Sequence, residues 1–201
     1  MNKRRCFLLH GYNVDNGGAE TVEKLVPYIA AAGFDPVCID YGHFNLIDVR
    51  VNNDDVGSRL VQMIRPGDVF IGHSNGCAIA AMAIEAGAPF ARGVMIHPAL
   101  QSFWSPPLDH PIEQVAVFSR WSDYATWSAF LLRVFSPGRL VWGRHIWGAM
   151  GATGPLSKDP RIVNKEGAHF HSNGFKDPEK WCPVWVDTLT ESCEKSSEIG
   201  L

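Results

Sequence analysis

The sequence predicts an α/β fold of three layers, in which helices cover both faces of a mostly parallel sheet of about six strands. Two observations carry this prediction. Short, continuously apolar segments alternate along the chain with longer segments whose apolar residues recur at helical spacing. The short segments also lack the polar alternation of a half-exposed strand, which indicates burial on both faces. At 201 residues, the chain is expected to form one domain over positions 1–201.

Each predicted strand is an apolar run bounded by Gly, Pro or polar residues. In chain order the strands are Arg5–His10, Pro36–Asp40, Asp68–Gly72, Gly93–His97, Gln114–Phe118 and Arg161–Asn164. Right-handed crossovers would bring the carboxyl ends of these strands to one edge of the sheet, where open α/β sheets bind their ligands. His10, Asp40, Ser74 and His97 all lie at such ends.

The predicted helices lie between these strands. They are Glu20–Ala32, Val56–Ile64, Asn75–Glu85, Ala125–Val134 and Asp177–Glu194. Gly33 and Pro66 end the first two. Pro183 predicts a kink or a later start in the last helix. The segment Gly138–Pro160 has little periodicity and is interpreted as a long ordered loop over the site.

Composition excludes several classes of function. The net charge of -3 and the lack of a basic run argue against nucleic-acid binding. No apolar stretch approaches the roughly 20 residues of a membrane span. Met1–Arg5 resembles the start of a signal peptide, but the apolar run Cys6–Leu9 behind it is too short, so a cytoplasmic location is expected.

Five cysteines form no C-x-x-C pair, which argues against a disulfide framework or a zinc site. They are Cys6, Cys38, Cys77, Cys182 and Cys193. Three of them fall inside apolar strand or helix patterns, so we expect these three to be buried as small core residues.

The segment Gly72-His73-Ser74-Asn75-Gly76 is a G-x-S-x-G sequence between a predicted strand and a predicted helix. Glycines on either side of a serine allow a tight turn and close packing of the helix on the strand. The hydroxyl is then exposed at the end of the sheet, at the helix N-terminus. Ser74 is therefore the predicted nucleophile.

A serine nucleophile needs a base, and the base needs an acid that orients it. Asp123 follows the penultimate strand and is the predicted acid, although Asp is also favoured as the N-cap of a helix beginning near Tyr124. Asp109 and Asp159 precede their strands and would lie at the opposite edge of the sheet.

Two histidines, His169 and His171, follow the last strand and are alternatives for the base. In an extended segment both could face one side and resemble a metal pair. No cluster of Cys, Asp or Glu accompanies them, so we expect neither a metal nor a cofactor.

An oxyanion hole requires backbone N–H groups aimed at the attacked carbonyl oxygen. Asn75 directly follows the nucleophile and is one predicted donor. Tyr12, in the loop after the first strand, is the other, since Gly11 permits the turn that brings it close.

These motifs together resemble the α/β-hydrolase superfamily. Leu8-Leu9-His10-Gly11-Tyr12 looks like its oxyanion motif, and the order Ser74, Asp123, histidine matches the family's order. The resemblance implies a minimal core that lacks the family's first two strands and a lid, similar to small bacterial and phage esterase-like enzymes. His171-Ser172-Asn173-Gly174-Phe175 matches an H-S-x-x-F-like segment of such proteins and favours His171, whereas the more usual histidine followed by Phe fits His169.

The resemblance implies a cofactor-independent serine esterase acting on a small-molecule ester or acyl substrate. The same triad would serve a thioesterase, an acyltransferase or a lipase, because fold and triad do not fix the substrate. A silent binding module that retains the fold is the alternative from another class. Trp104, Trp121 and Trp147 are predicted to line the substrate pocket, the alternative being that they fill the core.

Overall fold

The computed structural model describes residues 3–12, 14, 16–43, 46–135 and 148–191. Its sheet has six strands in the order β2-β1-β3-β4-β5-β6, and all neighbouring pairs are parallel. The strands are β1 Arg5–Leu9, β2 Asp35–Ile39, β3 Val69–His73, β4 Arg92–Ile96, β5 Gln114–Ser119 and β6 Ile162–Glu166. The predicted fold class is confirmed.

Six α-helices accompany the sheet in the described residues. They are α1 Val26–Ala31, α2 Leu46–Val61, α3 Asn75–Glu85, α4 Tyr124–Phe135, α5 Met150–Thr153 and α6 Pro178–Thr190. Short 3-10 helices cover Val22–Leu25 and Asn173–Lys176.

The structure departs from the predicted helices at three points. The first predicted helix divides into a 3-10 turn and α1, because Pro27 lacks an N–H and suits the first turn of a helix. The helix predicted from Val56 begins at Leu46, since the polar run around Asn53 hides its periodicity from the sequence. Pro183 neither delays nor ends α6, whose buried Trp185 packs against the sheet.

The side chains of the sheet divide between two apolar layers because successive residues of a strand point to opposite faces. On one face Phe7 and Leu9 pack with the apolar side of α3 and part of α2. On the other face Leu8 packs with α1 and α6. Burial on both faces explains the continuously apolar strands.

The thiols of Cys6, Cys77 and Cys182, which lie in β1, α3 and α6, are buried. Burial raises the pKa of each thiol, to about 11 for Cys182, and therefore suppresses its reactivity. Cys38 is exposed, and Cys193 lies outside the described residues. None of the described helices has the length and apolar character that crossing a bilayer requires.

His110 ties the loop between β4 and β5 to the end of α3. Its Nδ1 accepts a hydrogen bond from the N–H of Ile112 at 3.1 Å, and its Nε2 donates to the carbonyl of Ala88 at 2.9 Å. Burial lowers the pKa of His110. A proton on Nδ1 would abolish the first hydrogen bond, so the native loop requires the neutral ring.

The free energy of unfolding is expected to fall as the pH is lowered from 7.5 to 5.5. Burial lowers the pKa values of His10, His73 and His110 in the native state, whereas unfolded histidines titrate near pH 6.5. The unfolded state then binds more protons, so stability is full above about pH 6.5 and declines below it, by at most about 1.4 kcal/mol per pH unit for each group. Urea unfolding at several pH values measures this slope.

A matched pair of variants measures how much of this pH dependence of stability comes from His110. His110→Gln can still donate to Ala88 and accept from Ile112 without titrating, so its stability should decline less steeply than that of the wild type. Ser58→Ala, at an exposed position of α2, removes no titratable group and should retain the wild-type slope. A stability that stays level or rises below pH 6.5 would contradict the interpretation.

Candidate active site

Ser74 occupies a strained turn between β3 and α3. Its backbone has φ 53° and ψ −117°, a conformation that residues with a side chain rarely adopt. A Cβ atom on Gly76 would lie 2.2 Å from the carbonyl oxygen of Leu9, and one on Gly72 would lie 3.0 Å from the amide nitrogen of Cys77. The G-x-S-x-G spacing is therefore required by the close contact of α3 with the sheet.

Neighbouring strands hold this turn in place. The N–H of Ser74 donates to the carbonyl of Ile96 on β4, and its carbonyl accepts from the N–H of Ala99. Ser74 thus lies at the carboxyl edge of the sheet, where the sequence places it.

A cavity of about 500 Å³ opens beside Ser74. Its described lining contains no charged Lys, Arg, Asp or Glu side chain. The lining residues are Gly11, Tyr12, Val14, Thr21, His73, Ser74, Asn75, Ala99, Ala125, Thr126, Ser128, Ala129, His171 and Ser172. A cavity with this lining suits an uncharged, largely apolar ligand group.

Asp123 and His171 form a pair at this edge. The Nδ1 of His171 lies 3.0 and 3.1 Å from the two carboxylate oxygens of Asp123, which is completely buried. The carboxylate also accepts the N–H of Thr126 at 3.2 Å. Asp123 therefore both caps α4 and binds the imidazole. The N-cap and the partner of the histidine, which the sequence offered as alternatives, are one and the same residue.

The two candidate bases face different surroundings. His171 is partly buried and lines the cavity with Ser74, whereas His169 is exposed and its ring contacts Phe170. Phe170 between them has φ 60°, so the segment is not extended and the two side chains do not share one face. This geometry favours His171.

No hydrogen bond joins the Ser74 hydroxyl to His171 in the part of the chain that the structure describes. A functioning serine nucleophile needs that contact during the reaction. In unliganded sites such contacts are often long or poorly aligned and shorten when substrate binds. His171 nevertheless packs against His73, the residue before Ser74, with ring centroids 4.9 Å apart.

His73 supports His171 from the other side. Its Nε2 lies 3.0 Å from the backbone carbonyl of His171, and its ring contacts Phe175 edge-on. Burial, with the nearby His171, holds the pKa of His73 well below its usual range. His73 is therefore neutral, and its Nε2–H donates to that carbonyl.

His97 is a site residue that the sequence interpretation did not select. It follows β4, it is buried, and its Nδ1 lies 3.1 Å from Asp123 Oδ2. Burial alone would raise the pKa of Asp123, but hydrogen bonds from His171 and His97 outweigh that effect and keep the carboxylate ionised. The position of His97 at a strand end was the available signal.

His97, Asp123 and His171 together offer three ligand atoms within 4.8 Å of one another. This spacing could hold a metal ion. It equally follows from one carboxylate accepting hydrogen bonds from two imidazoles, which is the arrangement observed.

Tyr12 and Asn75, the predicted oxyanion donors, both line the cavity. Asn75 is the first residue of α3, and the first N–H groups of a helix have no partner within the helix. A Cβ atom on Gly11 would lie 3.1 Å from His73 Nδ1 and 3.3 Å from Ser74 Cβ, so the loop that carries Tyr12 passes directly over the nucleophile.

The predicted tryptophan pocket needs correction. Trp104 is buried in the core beneath α3, where its Nε1 donates to Glu85 at 2.9 Å. Trp121 is 73% exposed and packs edge-on against Trp127 instead of lining the cavity. Trp147 lies outside the described residues. The alternative of aromatic side chains filling the core applies to Trp104.

No protein-family model matches the sequence, and no curated protein does. Solved structures do match. An esterase from Pyrococcus furiosus gives a TM-score of 0.59 at 11% identity, over 94% of this chain and 83% of that chain. Alpha/beta hydrolase domain-containing protein 10 from mouse gives 0.54 at 13% identity, over 94% and 90%. A pyrethroid hydrolase from Sphingobium faniae gives 0.51 at 14% identity, over 96% and 100%.

Proposed function

We propose that this chain, which has the α/β-hydrolase fold, is a serine hydrolase that cleaves carboxylic esters through Ser74, His171 and Asp123. The observation that carries the proposal is the convergence of a strained serine turn and a buried Asp–His pair on one apolar cavity. The three residues come from three separate loops at one sheet edge.

In the proposed reaction, Ser74 Oγ attacks the ester carbonyl while His171 Nε2 takes the hydroxyl proton. Asp123 accepts the Nδ1–H of His171 and stabilises the imidazolium. The N–H groups of Tyr12 and Asn75 stabilise the tetrahedral oxyanion. When that intermediate collapses, His171 gives its proton to the departing alcohol and Ser74 remains acylated.

Water then completes the cycle. His171 takes a proton from water as the water oxygen attacks the acyl carbonyl. The second tetrahedral intermediate then collapses to the carboxylic acid, and His171 returns the proton to the departing Ser74 Oγ. This sequence balances protons without a cofactor. The uncharged cavity lining supports an ester whose acyl and alcohol groups carry no charge near the reacting carbon.

Stopped-flow kinetics with p-nitrophenyl acetate test this proposal. We expect steady turnover preceded by a burst of p-nitrophenol that approaches one equivalent of protein when deacylation is slower than acylation. A series of esters from C2 to C12, with matched thioesters, then separates esterase from thioesterase or lipase activity. A folded protein that turns over none of them would favour a silent binding module instead.

A further inference from the structure

A polar cluster lies behind the proposed oxyanion hole. We propose that Tyr41 and Asn53 are positioning residues which, through the side chain of Asn75, hold the two oxyanion donors at a fixed separation. This inference rests on the proposed function and adds two residues that do not contact the substrate.

The amide side chains of Asn53 and Asn75 form a reciprocal pair. Asn53 Nδ2 donates to Asn75 Oδ1 at 2.8 Å, and Asn75 Nδ2 donates to Asn53 Oδ1 at 3.0 Å. Both residues are at most 1% exposed. Because a buried amide without partners is costly, this pair fixes the start of α3 against α2.

Tyr41 connects that pair to the loop after β1. Its hydroxyl donates to the carbonyl of His10, lies 3.5 Å from the carbonyl oxygen of Gly11, and lies beside the Asn75 side chain. Its ring stacks on the His10 ring with centroids 3.9 Å apart. Burial raises the pKa of Tyr41 well above its usual value, so the hydroxyl keeps its proton at neutral pH.

The donors and acceptors of this cluster are mutually consistent. One hydrogen of the Asn75 amide is donated to Asn53, which leaves the other available to the Tyr41 oxygen, while the Tyr41 proton is donated to the His10 carbonyl. The two backbone segments that the cluster joins also touch, since a Cβ on Gly76 would lie 2.5 Å from the His10 carbonyl oxygen.

These contacts have a direct consequence for the oxyanion hole. The N–H of Tyr12 follows Gly11 in the loop, and the N–H of Asn75 belongs to the residue whose side chain pairs with Asn53 and lies beside Tyr41. Catalysis by such donors depends on their position before charge develops on the substrate oxygen. Loosening the cluster should therefore weaken transition-state binding more than ground-state binding.

Tyr41→Phe tests this inference because it removes the hydroxyl and retains the stacked ring. We expect kcat for p-nitrophenyl acetate to fall about 10- to 100-fold, less than the roughly 10²–10³-fold cost of deleting a donor, while KM stays within about twofold. The rate of Ser74 phosphonylation should fall in parallel. Tyr28→Phe removes a hydroxyl from α1 on the opposite face of the sheet and should leave kcat unchanged.

Asn53→Ala extends the test as a double-mutant cycle with Tyr41→Phe. If both residues act through Asn75, the double variant should lose much less activity than the product of the two single losses. Far-ultraviolet circular dichroism and thermal melting confirm that each variant is folded. If Asn53→Ala does not fold, the comparison of Tyr41→Phe with Tyr28→Phe is sufficient to test the inference.

Three results would overturn the inference: an unchanged kcat in Tyr41→Phe, a loss confined to KM, or equal losses in the two tyrosine variants. A wild-type protein without hydrolysis or phosphonylation overturns the proposed function itself. An active wild type with an unaffected Tyr41→Phe variant overturns the positioning role alone.

Discussion

Replacing Ser74 by alanine is expected to reduce the turnover of p-nitrophenyl acetate to the uncatalysed background, a loss of up to about 10⁶-fold in kcat. Without the hydroxyl no acyl-enzyme can form, and the base and oxyanion donors then act on water alone. The variant should remain folded because Ser74 makes no side-chain hydrogen bond with the described residues. Steady-state kinetics at saturating ester measure the loss.

Ser58→Ala is the matched control, since Ser58 is an exposed serine of α2 that lies outside the cavity lining. It should retain wild-type kcat and KM. If Ser74→Ala keeps a tenth or more of the wild-type turnover while Ser58→Ala behaves as expected, the hydrolysis takes place elsewhere on the protein.

Replacing His171 by alanine is expected to lower kcat by about 10⁴- to 10⁶-fold, whereas His169→Ala should change it by less than about threefold. Of these two histidines, His171 is the one that pairs with the buried carboxylate of Asp123 and lines the cavity, and removing the base disables the triad as a unit. Parallel kinetics on the two purified variants make the comparison, and Asp123→Asn should lose about 10⁴-fold through the wrong imidazole tautomer.

The histidine pair supplies its own control, because both side chains come from one short loop and both substitutions remove an imidazole. The reverse order of effects, with His169→Ala inactive and His171→Ala active, would assign the base to the other histidine. Equal large losses would indicate that the loop as a whole, and not one imidazole, supports activity.

The sequence predicted the parts of the molecule that depend on local pattern. Continuous apolar runs identified β1, β3, β4 and β5, because burial on both faces leaves no polar alternation. The edge strands β2 and β6 are only partly buried and were identified from shorter apolar segments. Gly72 and Gly76 identified the serine turn, since each lies where a side chain would collide with backbone. The order of strands along the chain placed Asp123 at the edge that carries Ser74.

Features that depend on distant contacts were not predictable in this way. Asn53 lies in a polar run that is typical of a solvent-exposed helix face. Its amide is nevertheless buried, and it is paired there with Asn75. Tyr41 lies in the segment after β2, and only the fold brings it to the carbonyl of His10. Trp104 satisfies its indole N–H through Glu85 in the core, so its residue type alone suggested the wrong surroundings.

The sequence pattern identified the position of His97 at a strand end, but not its contact with Asp123. Its position after β4 marked it as a residue of the ligand-binding edge, as for Ser74 and Asp123. Its contact with the far side of the carboxylate depends on the positive φ of 46° that turns it inward. Nothing in the local sequence requires that conformation.

Labelling with a fluorophosphonate probe, followed by peptide mapping, tests the central claim most directly. A phosphonate ester should form on Ser74 with loss of fluoride, in a stoichiometry of one label per chain, and Ser74→Ala should take up none. A folded wild-type protein that remains unlabelled, or that carries the label on another residue, would contradict the assignment of Ser74 as the nucleophile.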